Sequence, residues 1–147
     1  LIKAVYDTNI LISGLLWKGL PYRCLLLAKA RAAELFLCKE IVSELSSKLR
    51  SKFNFTDIEV KMVIKEIKSF SKNIKIEGSL KVVKEDGDDD KFIECAYISN
   101  AKCIVSGDRH LLNLKSYKSI EILNARDFLK RIEEDRVIMT TNPTKLK

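Results

Sequence analysis

The feature that most constrains this chain is a regular change of hydrophobic period along its length. Short apolar runs of strand length recur at residues 2–6, 34–38, 102–106 and 120–123, and segments with apolar residues three and four apart separate them. Strands alternating with helices in this way predict βαβ units and a mostly parallel sheet with helices on both faces, a three-layer α/β/α domain. Residues 10–16 form a short helix in this reading, and Pro21 opens a second that runs to about Ala33. The segment from Lys39 to about Lys52 carries Ile41, Val42, Leu45 and Leu49 at helical spacing. Thr56 followed three residues later by Glu59 makes a capping-box pattern, and the helix it opens presents Val60, Val63, Ile64, Ile67 and Phe70 on one face. Residues 73–77 and 80–84 read as short β-like pieces. A helix is expected from about Asp88 to Ser99, a short one through Leu114, and a last one from Ala125 to Ile132 capped by Asn124. Residues 1–133 then form one domain, and 134–147 a loose polar tail.

The 147 residues suffice for one domain with a sizeable core. Cys24, Cys38, Cys95 and Cys103 include no C-x-x-C pair and sit beside aliphatic residues. They read as small core residues in a reducing compartment, which gives a cytoplasmic expectation. No apolar run approaches the ~20 residues of a membrane span, so no membrane partner is expected. The formal charge of +7 favours a polyanionic partner, nucleic acid being the commonest, although a Lys-rich, well-solvated surface has the same composition.

Sites in open α/β sheets form beyond the C-terminal ends of the strands. Asp7 follows the first strand directly, and Asp108 follows the strand 102–106 after Gly107. Asp89 stands at the start of a helix, and Glu44 lies within the helix after the second strand. Each has an ordinary alternative. Asp7 is also a turn former or cap, Asp108 an N-cap, the acids of 85–90 partners of a helix dipole, and Glu44 a surface helix residue. Carboxylates gathered at one edge repel one another, and a hard divalent cation relieves that repulsion. Mg²⁺ or Mn²⁺ accepts oxygen ligands, keeps several waters and can support phosphodiester cleavage. Helical phase selects Asp89 from its acidic neighbours. It shares a face with Phe92, Ile93 and Ala96, whereas Asp90 shares a more exposed face with Glu94 and Tyr97, and Asp88 is left as an accessory acid.

Four segments resemble the PIN-domain family, in particular its VapC-like toxins of toxin–antitoxin pairs. Val5-Tyr6-Asp7-Thr8-Asn9-Ile10-Leu11 is similar to the family's strand-end D-T-N motif, and Ser43-Glu44-Leu45 with Leu49 to its E-L-x-x-x-L helix. Asp86-Gly87-Asp88-Asp89-Asp90-Lys91-Phe92-Ile93-Glu94-Cys95-Ala96 resembles D-P-D-D-x-K-F-L-E-x-A, with Gly87 where Pro is usual. Ile104-Val105-Ser106-Gly107-Asp108-Arg109-His110-Leu111-Leu112 resembles I-V-T-G-D-x-x-L-L, with Ser106 where Thr is usual. The resemblance spans roughly residues 2–130. It implies a metal-dependent endoribonuclease acting on single-stranded RNA, with Asp7, Glu44, Asp89 and Asp108 as catalytic and metal-binding acids. It further implies Asn9 and Ser106 as polar neighbours, Mg²⁺ or Mn²⁺ as cofactor, an antitoxin partner and a homodimer.

Substrate contacts are less sharply marked. Arg23 and Arg109 lie nearest the acids in sequence. Lys61, Lys65, Lys68 and Lys72 form a stripe that reads either as a phosphate track or as a solvated helix face. Trp17 is a candidate for stacking on a base or for packing, and His110 reads as a helix-start residue. Rival classes fit less well. A phosphoacceptor domain lacks its paired acids here, a haloacid-type phosphatase would need a second Asp where Asn9 stands, and an idle binding module would be marked by a missing acid.

Overall fold

A computed structural model describes residues 1–83 and 87–141, with side chains to residue 138. The first strand, β1 (Ile2–Tyr6), is the hub of the sheet. Ala4, Val5 and Tyr6 are inaccessible to solvent, as expected for a parallel strand covered on both faces. β1 pairs with β2 (Ala33–Cys38) on one side and with β4 (Cys103–Val105) on the other, both in parallel. The full order is β3-β2-β1-β4-β6-β5, with β3 (Ser71–Ile74) and β6 (Ile120–Leu123) also parallel to their neighbours. Among the described residues only β5 (Ser116–Tyr117) runs antiparallel, in a hairpin with β6. The chain therefore winds from β1 outward to β3 and returns to β4 on the opposite side of β1.

The helices follow the expected alternation. They are α1 (Thr8–Leu16), α2 (Leu20–Lys29), α3 (Lys39–Phe53), α4 (Asp57–Ser69), α5 (Asp90–Ser99), α6 (Arg109–Leu114) and α7 (Ala125–Thr141). A single 3₁₀ turn, Gly87–Asp89, leads into α5. The Tyr6 hydroxyl donates to Cys24 O of α2 at 2.7 Å, and its ring meets Phe128 of α7 edge-on at 5.7 Å. Tyr6 thus faces the α2–α7 layer. Val5, on the opposite face by strand alternation, faces the layer of α5, which packs across β1, β2, β3 and β4. All four cysteines are buried in this framework.

Several boundaries differ from the sequence reading. Helix α2 ends at Lys29, four residues before Ala33, because Arg31 turns left-handed (φ 59). Ala32 N then donates to Leu27 O at 2.8 Å and Arg31 N to Ala28 O at 3.0 Å, a Schellman stop built without glycine. Of the two β-like pieces proposed at 73–77 and 80–84, only the first forms a strand, shifted to Ser71–Ile74. Residues 80–83 are not a strand, since the N–H groups of Leu80, Val82 and Val83 go to side chains of α5, and residue 84 lies outside the described residues. The tail expected to be loose from 134 is helical to Thr141, as a continuation of α7. Residues 142–147, and Glu85 and Asp86 of the acidic turn, lie outside the described residues. Among the described residues no single helix is long and apolar enough to cross a membrane.

Candidate active site

Between β1 and β4 the strand order reverses, so the loops that leave these two strands diverge and open a crevice at their C-terminal ends. Asp7 and Ser106 lie at this point, one residue beyond Tyr6 and Val105, which are paired across the two strands. Asp7 N donates to Val105 O at 3.0 Å, which extends the ladder to the mouth of the crevice.

Asp7 is only 3% exposed and serves as the N-cap of α1. Its Oδ1 accepts from Ile10 N at 2.8 Å, and its Oδ2 accepts a short hydrogen bond from the Ser106 hydroxyl. Ser106 Oγ in turn accepts from Asp108 N at 2.9 Å. One buried hydroxyl therefore joins the Asp7 carboxylate to the Asp108 backbone at the ends of two strands. Burial pushes the Asp7 carboxyl above its usual range, and the nearby Asp108 charge adds to this. The Ser106 and Ile10 hydrogen bonds and the Lys48 charge oppose the rise without cancelling it. Asp108 caps α6, with Oδ1 accepting from His110 N at 2.7 Å and Leu111 N at 3.4 Å. His110 is thus a helix-start residue, as expected.

Glu44 lies on α3, whose face toward α1 also carries Lys48. Its Oε1 is 3.6 Å from Lys48 Nζ, and its Oε2 is 2.5 Å from Lys91 Nζ on α5. Lys48 Nζ reaches Asn9 Oδ1 at 3.4 Å, which brings Asn9 to the same edge. Partial burial raises the Glu44 pKa, but the Lys91 hydrogen bond, the adjacent Thr8 hydroxyl and the two lysine charges outweigh it and hold Glu44 below the usual range. Thr8 Oγ1 is fully buried beside that carboxylate yet forms no hydrogen bond of good geometry. Lys91 is largely enclosed. It donates to Asp88 O at 2.5 Å and lies 4.8 Å from the Phe92 ring centre.

Asp89 is buried at the start of α5, next to the turn that Lys91 ties to Glu44, in line with its helical phase. Asp88 is exposed, and its backbone carbonyl rather than its carboxylate meets Lys91. The face shared by Asp90 and Glu94 is not solvated as its helical phase implied. Asp90 Oδ1 accepts from Val82 N and Val83 N at 2.8 Å each. Glu94, 5% exposed, accepts from Glu77 N at 2.7 Å, Gly78 N at 3.0 Å and Leu80 N at 3.1 Å. The two carboxylates strap residues 77–83 onto α5. Helical phase cannot reveal this, because the partner is an irregular segment elsewhere in the chain.

The substrate candidates separate. Arg109 is exposed on the first turn of α6, directly after Asp108. Arg23 instead lines a cleft of 260 Å³ between α2 and α7, with Arg126, Lys130 and Arg136. Lys72 leaves the proposed stripe, as it lies on β3 and pairs with Glu34. Lys61, Lys65 and Lys68 remain together along the α3–α4 groove. Trp17 is half-exposed and packs edge-on against Phe53 at 6.1 Å. Lys48, Lys91 and Thr8 carried no assigned site role in the sequence. The one local sign was Glu44 four residues before Lys48, a helical ion-pair spacing.

Among the described residues no three of His, Cys, Asp and Glu are grouped so as to ligate one ion. The donors present nevertheless fit a hard cation of the Mg²⁺ type, which is commonly bound through one or two carboxylates and otherwise keeps its waters. Asp7 and Asp108 offer carboxylate oxygens at the ends of β1 and β4, where Ser106 contacts both residues.

A family model described as the PIN domain matches residues 3–110. No curated protein matches the chain. Among solved structures, the fold is similar to a chain of the crystal structure of VapBC2 from Rickettsia felis bound to a DNA fragment from their promoter. That similarity has a TM-score of 0.59 at 15% identity and covers 84% of this chain and 98% of the other.

Proposed function

The chain belongs to the PIN-domain family, and from that premise we propose that it is a metal-dependent ribonuclease that hydrolyses phosphodiester bonds of single-stranded RNA, the toxin of a toxin–antitoxin pair. The observation that carries this reading is that Asp7 and Asp108 leave β1 and β4 at the point where the strand order reverses, with Ser106 bonded to the Asp7 carboxylate and to the Asp108 backbone N–H. Asp7 and Asp108 would hold Mg²⁺ or Mn²⁺, with Glu44 and Asp89 completing the acidic edge. When bound, such an ion lowers the pKa of a coordinated water and screens the charge that develops on the phosphate oxygens.

The protein's own groups supply position and charge. The Ile10 N–H and the Ser106 hydroxyl fix both oxygens of Asp7, so its orientation is set before any ligand arrives. The His110 and Leu111 N–H groups hold one oxygen of Asp108, Oδ1. Lys48 and Lys91 place two ammonium groups beside an otherwise acidic crevice, where they offset repulsion between the carboxylates and an incoming phosphate backbone. Arg109, exposed beside Asp108, is placed to meet a phosphate outside the crevice. An antitoxin protein partner is proposed by analogy with the VapBC2 assembly.

The deciding experiment is cleavage of a labelled single-stranded RNA with Mn²⁺, with Mg²⁺ and with EDTA, for the wild type and Asp108→Asn. Cleavage that needs metal and falls at least a hundredfold in the variant is expected. Metal-independent cleavage, or full activity in Asp108→Asn, would sink the assignment. A wild type that binds RNA without cutting it would point to a PIN fold kept for binding.

A further inference from the structure

Glu44 differs from Asp7 and Asp108 in having its charge answered by ion pairs from within the protein. Both of its oxygens face ammonium groups, Oε2 at 2.5 Å from Lys91 Nζ and Oε1 at 3.6 Å from Lys48 Nζ. Lys91 is held in place by more than this ion pair. Its side chain is 14% exposed, it donates to the Asp88 carbonyl, and it lies over the Phe92 ring. Lys48 is fixed at its other side by Asn9 Oδ1. A divalent cation that approached Glu44 would come within a few ångströms of two positive charges. It would be repelled by each twice as strongly as a monovalent ion is.

Asp7 and Asp108 present the opposite balance. Ser106 links the Asp7 carboxylate to the Asp108 backbone N–H, and although the Lys48 charge reaches Asp7, among the described residues no ion pair joins either carboxylate to a lysine or arginine. Their two negative charges match one divalent ion, and two carboxylates plus waters are a sufficient ligand set for Mg²⁺. A second ion about 4 Å away would need a further carboxylate to bridge or complete it. Of the two remaining acids of the edge, Glu44 and Asp89, Glu44 is the one that the two lysines hold.

We propose that the crevice takes a single divalent cation, held by Asp7 and Asp108, and that Lys91 and Lys48 keep Glu44 out of the ion's ligand set. Glu44 then acts as a positioning residue that anchors the two ammonium groups at the site. This rests on the metal-dependent reading above, and it assigns the lysines the place of a second metal ion.

The test is Mn²⁺ binding to the whole chain without RNA, read as loss of the free-ion electron paramagnetic resonance signal on titration. One ion per chain is expected for the wild type and none for Asp108→Asn. Lys91→Met is expected to bind a second ion, because Glu44 loses its closest cation. Lys48→Met serves as an independent variant should Lys91→Met fail to fold, with far-ultraviolet circular dichroism reporting the fold of each. Two ions on the wild type would overturn the inference, as would folded lysine variants that both still bind one ion with unchanged affinity. The two readings fail differently. Two ions with metal-dependent RNA cleavage would remove only the single-ion inference, whereas no bound ion together with no cleavage would remove both.

Discussion

Asp7 sits in a conflict that its neighbours only partly resolve. Burial and the Asp108 charge hold its carboxyl above the usual range, while the Ser106 and Ile10 hydrogen bonds and the Lys48 charge favour its ionised form. A carboxyl whose pKa is raised on folding contributes stability that is present below its unfolded value near 3.9 and lost as pH rises through the folded value. At neutral pH without metal the ionised Asp7 is therefore a cost to the fold. Asn keeps the cap on Ile10 N and removes the charge. Asp7→Asn should melt a few degrees higher than the wild type at pH 7 in EDTA, and the difference should shrink as pH falls toward 4. Thermal melts across that range check this, and a lower melting temperature for the variant at pH 7 would mean that the charge is well satisfied without metal.

At the scale of elements, the strap from 77 to 83 depends on α5 rather than on the sheet. Glu94 holds three of its N–H groups and Asp90 two more, so two carboxylates do the work that a neighbouring strand would otherwise do. Hydrogen bonds to a charged acceptor contribute roughly 1.5–3 kcal/mol, and Gln at position 94 keeps one acceptor oxygen while losing the charge. Glu94→Gln should lower stability by about 2 kcal/mol at pH 7, measured by urea unfolding. Burial raises the Glu94 pKa, but the backbone N–H groups around it outweigh this and hold it below the usual range. The contribution is accordingly present above the unfolded value near 4.3 and lost as pH falls through the folded value. The variant and the wild type should therefore converge in acid, and an equal gap at pH 3 and pH 7 would count against the clamp.

At the scale of the molecule, the +7 charge does not gather at the acidic crevice. Part of it runs along α4 as Lys61, Lys65 and Lys68, over a groove floored by Val60 and Ile64. If these three lysines follow a phosphate backbone, the affinity of the Asp108→Asn protein for single-stranded RNA should fall roughly tenfold between 50 and 200 mM salt. Replacing all three by Gln should flatten that dependence. An affinity indifferent to salt would assign the stripe to solvation alone.

The alternation of strands and helices, the capping box at Thr56 and Glu59 and the inward phase of Asp89 are local properties of the chain. Hydrophobic period and side-chain caps act within a few residues, so the sequence by itself determined them. The same holds for the helix stops at Asn54 and Asn100, both left-handed in the structure, since Asn tolerates that conformation. Arg31 adopts it as well, and nothing in its side chain announces this. The motifs located Asp7 and Asp108, but their coupling through Ser106 depends on β1 and β4 becoming neighbours across 99 residues of chain. The lysine partners of Glu44, the strap held by Asp90 and Glu94, and the removal of Arg23 to the α2–α7 cleft were likewise decided only in three dimensions. Each depends on which elements meet, and long-range contacts between polar groups leave no periodic trace in sequence.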